Sequence, residues 1–91
     1  MKYLSKRLIK YLEENNWQLV YKVEDNKDKT ELKFYYHYTK EVKKWDSMHH
    51  IFIEGYKDGE VTVEIGEENN QQDSEVFKLR NLVSVLKRRG L

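Results

Sequence analysis

The spacing of hydrophobic and polar residues changes several times along the chain, and each change marks a predicted element. Leu4, Leu8, Tyr11 and Leu12 fall on one face of a 3.6-residue period and predict an amphipathic helix over about residues 2–15. Asn15 and Asn16 supply its stop, because Asn tolerates the left-handed conformation that often ends helices. From there the period drops to two. Trp17, Leu19, Tyr21 and Val23 alternate with Gln18, Lys22 and Glu24 and predict a half-buried strand facing the core through the first set. After a turn at Asp25–Lys29, Leu32, Phe34, Tyr36 and Tyr38 alternate with Lys33, Tyr35, His37 and Thr39. A third strand, over about 48–56, sets Ile51 and Ile53 against His50, Phe52 and Glu54, and a fourth sets Val61, Val63 and Ile65 against Thr62 and Glu64.

The polar, acidic run 66–73 predicts a loop, with Asp73 or Ser74 capping a last helix. That helix carries Val76, Leu79, Leu82, Val83 and Leu86 on one stripe and ends in Lys87-Arg88-Arg89-Gly90, where cations complement the helix dipole.

Parity restricts the pairing, since a one-residue slip turns every core side chain to solvent. A three-residue loop, Lys57-Asp58-Gly59, pairs Ile53 with Val63 and Ile51 with Ile65, and Gly59 suits the left-handed last position. A loop at Val42–Trp45 pairs Tyr35 with Phe52, His37 with His50 and Lys33 with Glu54. The expected fold is α+β: a two-layer sandwich in the order α-β-β-β-β-α, with a four-stranded antiparallel meander and both helices packed on one face.

Composition fits one domain over residues 1–91. The chain is 36% charged and only 38% hydrophobic, values that lean towards disorder, but its 7 Tyr, 3 Phe and 2 Trp are far more aromatic content than disordered chains carry. With no Cys, disulfide scaffolds, zinc ribbons and thiol enzymes are excluded. No apolar run reaches the roughly 18 residues of a membrane helix, and the first residues lack the apolar stretch of a signal peptide, so a cytoplasmic protein is expected.

The net charge of +1 conceals a segregation by position. Residues 1–22 carry +3, residues 77–91 carry +5, and residues 54–75 carry −7. Two surfaces therefore compete as functional sites. One is the sheet face away from the helices, where Tyr35, His37, His50, Phe52 and Tyr56 are expected, together with Trp45 at a hairpin tip over 40–48. Aromatic side chains there suit the buried anchors of an interface, and Trp is enriched among such anchors. The other is basic: Lys6, Arg7 and Lys10 on the first helix, with Arg80, Lys87, Arg88 and Arg89 on the last, would meet phosphate backbone if the helices lie side by side.

Chemistry-bearing motifs are missing. The chain has no phosphate-binding glycine loop, no H-E-x-x-H and no G-x-S-x-G. The aromatic run Lys33–Lys40 lacks the glycine–aromatic motif of RNA-recognition modules. His49 and His50, adjacent on a strand, point to opposite faces, and His37 with His50 makes two ligands where zinc needs at least three from protein. No metal, cofactor or catalytic residue is assigned. The expected function is a small non-catalytic module, a regulator or inhibitor, that binds another protein or a second copy of itself, with no membrane contact. The alternative is a nucleic-acid-binding domain using the basic helices.

Overall fold

The computed structural model describes residues 1–68 and 70–91, the side chains of 70–74 excepted. Its elements are α1 (Lys6–Glu14), β1 (Gln18–Val23), β2 (Leu32–Val42), β3 (Ser47–Tyr56), β4 (Val61–Glu67), β5 (Asn70–Phe77) and α2 (Leu82–Arg89). The strands form one antiparallel sheet in the order β1-β2-β3-β4-β5, so each pairs with its neighbour in sequence.

The expected α+β class and meander are present, with five strands where the pattern predicts four. The extra strand is β5, in the segment read as a loop and the beginning of the last helix. Val76 and Phe77 are good strand formers, and pairing with β4 (Val63 with Phe77, Glu64 with Val76, Ile65 with Glu75) satisfies their backbone groups. The predicted caps Asp73 and Ser74 have side chains outside the described residues; the backbone there is strand, and α2 begins only after a single 3-10 turn at Leu79–Asn81. Val76 therefore leaves the predicted helical stripe and stands 67% exposed on the sheet.

Both helices cover one face. Leu8 and Leu12 of α1 and Leu82, Val85 and Leu86 of α2 share a core with Phe34, Tyr36, Tyr38, Ile51, Ile53, Val63 and Ile65 from the sheet. Ser5 starts α1 by accepting a hydrogen bond from the Leu8 N–H at 3.1 Å. The two helices end alike. Asn16 (φ 65°) and Gly90 (φ 73°) adopt the left-handed conformation, and the next residue folds back: Trp17 N–H bonds Leu12 O at 2.9 Å and Leu91 N–H bonds Leu86 O at 2.8 Å. The indole Nε1 of Trp17 then donates to Leu91 O at 3.1 Å, tying the two helix ends together.

Register follows the prediction in one hairpin and departs from it in the other. Ile53 faces Val63 and Ile51 faces Ile65, and the 57–59 loop closes with Gly59 at φ 96°, all as expected. Between β2 and β3 the pairing is displaced by two residues: His37 faces Phe52, Thr39 faces His50 and Tyr35 faces Glu54. The cause is the turn. A 3-10 turn over Lys43–Trp45 with Asp46 left-handed (φ 48°) occupies 43–46, so β2 continues to Val42. Because the displacement is even, the side chains from Phe34 onward keep their predicted faces; before it a bulge at Lys33 pairs Leu32, expected in the core, with Tyr56 of the open face.

In β1 the face changes. Leu19 pairs with Tyr38 but Tyr21 pairs with His37, leaving Val20 as a bulge. Tyr21 and Val23, expected in the core, consequently lie on the open face, and Tyr21 is 57% exposed.

A candidate protein-binding face

The open face is built from strand positions that alternate with the core. Following the register, one row crosses all five strands: Tyr21, His37, Phe52, Glu64 and Val76. At the usual strand spacing it is roughly 19 Å long. A second row runs beside it through Val23, Tyr35, Glu54 and Thr62. Tyr35, His37, His50, Phe52 and Tyr56, five of the six residues expected in the partner site, are therefore on one surface, each half-buried.

The rings are in mutual contact. His37 stacks on Phe52 with centroids 4.5 Å apart, and His50 lies nearly parallel to Phe52 at 5.7 Å. Nε2 of His37 and Nδ1 of His50 are 2.8 Å apart, so one ring nitrogen donates and the other accepts. Burial first, and then the neighbouring His50, hold the His37 imidazole below its usual pKa. Tyr21 meets the edge of Tyr35 at 5.9 Å. Burial, followed by the Glu54 carboxylate, raises the pKa of Tyr35. The Tyr56 hydroxyl donates to Glu54 at 2.5 Å.

Charge on this face has one sign. Glu41, Glu54 and Glu64 occupy outward positions, and among the described residues that pair across the strands on this face none is Lys or Arg; Lys33, the bulge residue of β2, holds its ammonium 5.4 Å from the Tyr3 ring centre.

Trp45 is elsewhere. Its ring meets the edge of His49 at 5.8 Å, on the helix-covered side, and its far edge approaches Gly90. It remains 50% exposed, but the structure does not join it to Tyr35 and Phe52. Conversely, Tyr21 and Val76 belong to the open face although their spacing had assigned them to the core and to a helix. Only the bulge at Val20 and the strand character of β5 reveal them, and neither has a distinct signal in the sequence.

The basic residues divide into bound and available groups. Arg88 donates to both carboxylate oxygens of Glu75 at 3.0 Å, and Arg89 reaches the same carboxylate at 3.1 Å. These bonds, Arg88 first, hold the Glu75 carboxyl below its usual pKa and tie α2 to β5. Lys10 faces Glu14 at 3.8 Å. Lys6 is exposed on α1, whereas Arg7, Arg80 and Lys87 border a groove between the helices. The expected basic surface thus exists, but its two C-terminal arginines are already engaged.

The structure also brings Ser47 Oγ within 2.9 Å of His49 Nε2, a pairing that the sequence spacing did not suggest. Both side chains are buried, and the contact satisfies polar groups in the core. Among the described residues no cluster of three His, Asp or Glu could hold a metal, and no helix is long and apolar enough to cross a membrane. Comparison with protein-family models, curated proteins and solved structures returns no match.

Proposed function

We propose that the protein is a non-catalytic binding module whose open sheet face receives a basic segment of another protein. The observation that carries this reading is the five-strand row Tyr21–His37–Phe52–Glu64–Val76, exposed at both ends and free of outward Lys or Arg among the described residues. A Lys or Arg from the partner would lie over the Tyr21, Tyr35 or Phe52 rings while pairing with Glu54 or Glu64. Val76 and Tyr21 would supply apolar anchors at the two ends. Face-to-face pairing of two copies is disfavoured, since it would bring together two surfaces that both carry Glu41, Glu54 and Glu64. Trp45 lies outside this contact, which rests on the sheet and not on the 40–48 hairpin.

The test compares partner recovery from source-cell lysate using the unaltered protein, Tyr21→Ala/Val76→Ala and Arg7→Ala/Arg80→Ala, each treated with nuclease. Both altered pairs are exposed, so folding should persist and is checked by circular dichroism. The expected result is a partner held by a basic region, lost from the sheet-face variant and retained by the helix variant. Recovery unaffected by the sheet-face changes would refute the reading.

A further inference from the structure

Between α1 and α2, on the side of the molecule opposite the open face, lies an open groove of about 650 Å³, a volume within the range of small-molecule sites. Its floor is apolar, with Leu8, Leu79 and Val83, and its rim carries Arg7, Arg80 and Lys87. No Asp or Glu among the described residues lines it. Among the described residues these three cations have no carboxylate partner, in contrast to Arg88, Arg89 and Lys10, which do. The Lys87 ammonium rests 5.9 Å from the Tyr11 ring centre, a contact that positions it without neutralising it. Ser5 at the start of α1 and Ser84 in the first turn of α2 also line the groove. The partial positive charge of both helix beginnings therefore adds to that of the side chains.

We infer that this groove binds a small organic phosphate, its phosphoryl group held by Arg7, Arg80 and Lys87 and its apolar body lying on Leu8, Leu79 and Val83. Guanidinium groups pair with phosphate oxygens through two parallel hydrogen bonds, and the two arginines come from different elements, Arg7 from α1 and Arg80 from the 3-10 turn before α2, so one phosphoryl group can bridge them. The short apolar floor gives a compact organic ligand a surface that an inorganic ion would not use. An extended nucleic acid would need free cations along a track, whereas here Arg7, Arg80 and Lys87 line one groove and Lys10, Arg88 and Arg89 outside it are paired. The inference does not depend on the sheet-face reading, because the two sites share no residue.

The experiment follows backbone amide shifts by NMR while phenyl phosphate, inorganic phosphate, hexaglutamate or a single-stranded oligonucleotide is added to the full chain. Phenyl phosphate should bind with a dissociation constant of about 1 mM or tighter and shift residues of the groove. Inorganic phosphate should bind about tenfold more weakly, since it leaves the floor uncovered. Arg7→Ala and Arg80→Ala should each weaken phenyl phosphate about tenfold or more, while Lys10→Ala and Tyr21→Ala leave it unchanged. Hexaglutamate or the oligonucleotide shifting the groove more strongly than phenyl phosphate would overturn the assignment. So would phenyl phosphate and inorganic phosphate binding equally, or affinity insensitive to both arginines. Arg7 and Arg80 are exposed, so unchanged spectra away from the groove will establish that the variants fold.

Discussion

The two faces of the sheet are made of similar residues at the same spacing and are put to different uses. On the covered face Phe34, Tyr36 and Tyr38 of β2 are buried beneath the helices; on the open face Tyr35 and His37, one position along, remain half-exposed. Even the hydroxyls differ in their surroundings. Tyr36 donates to Glu24 at 2.5 Å beneath the Tyr3 backbone, and burial, followed by that carboxylate, drives its pKa upward. Burial pushes Tyr38 up to about 12. An aromatic strand is thus core or surface according to what covers it, and the helices decide. Residue type alone would assign all these rings to one class.

The largest effect should come from cutting a side chain on the covered face and its neighbour on the open one. Ile53→Ala leaves a cavity in a fully buried site and should cost about 2–5 kcal/mol in urea unfolding. Phe52→Ala, one residue earlier on β3, should cost about 1 kcal/mol, the transfer share of a half-covered ring. Equal losses would show that the open face is packed as tightly as the core and would erase the distinction.

A second substitution probes close approach within the covered face. Phe34 lies over Gly55, and a Cβ at that position would sit 2.0 Å from Cε1 of the ring. Gly55→Ala should cost about 1–3 kcal/mol by overpacking, and Phe34→Leu in the same chain should recover part of the loss. An unchanged urea midpoint for Gly55→Ala would mean that the ring does not rest there.

The smallest effect belongs to the open face and appears with pH. The His37 imidazole is held below its ordinary value of 6.5, so as pH falls the unfolded chain takes up the proton first. Stability should be intact above about 6.5 and decline through the window below it. Comparison of urea midpoints across that window with those of His37→Gln isolates the step. A dependence that survives the substitution belongs to another group.

What the sequence showed of this fold depended on how regular each segment is. The faces of β3, of β4 and of β2 from Phe34 onward followed from alternation alone, and an even displacement between β2 and β3 left them intact; Leu32 was misplaced by a bulge at Lys33. The faces of β1 were misread because one bulged residue reverses them, and Val20 looks like any other strand valine. Strand β5 was missed because its first residues are polar, while Val76 and Leu79 happen to fall at helical spacing. The candidate site inherited both errors: Tyr35, His37, His50, Phe52 and Tyr56 were placed by parity, while Tyr21 and Val76 entered only with the structure. The commitment of Arg88 and Arg89 was equally hidden, because Glu75 meets them only once β5 exists.

The hydrogen bond from Trp17 to Leu91 joins positions 74 apart in the chain. Each strand, by contrast, meets its neighbour across a short connection, so the sheet can assemble through local steps. Bringing the helices together closes by far the longest loop, four doublings beyond a hairpin of about five residues, or roughly 2.4 kcal/mol of additional chain entropy. The seam between α1 and α2 is therefore the contact for which the chain gives up most freedom. A ligand seated in that seam would hold the most entropically costly closure of the molecule and would act as a latch against its opening.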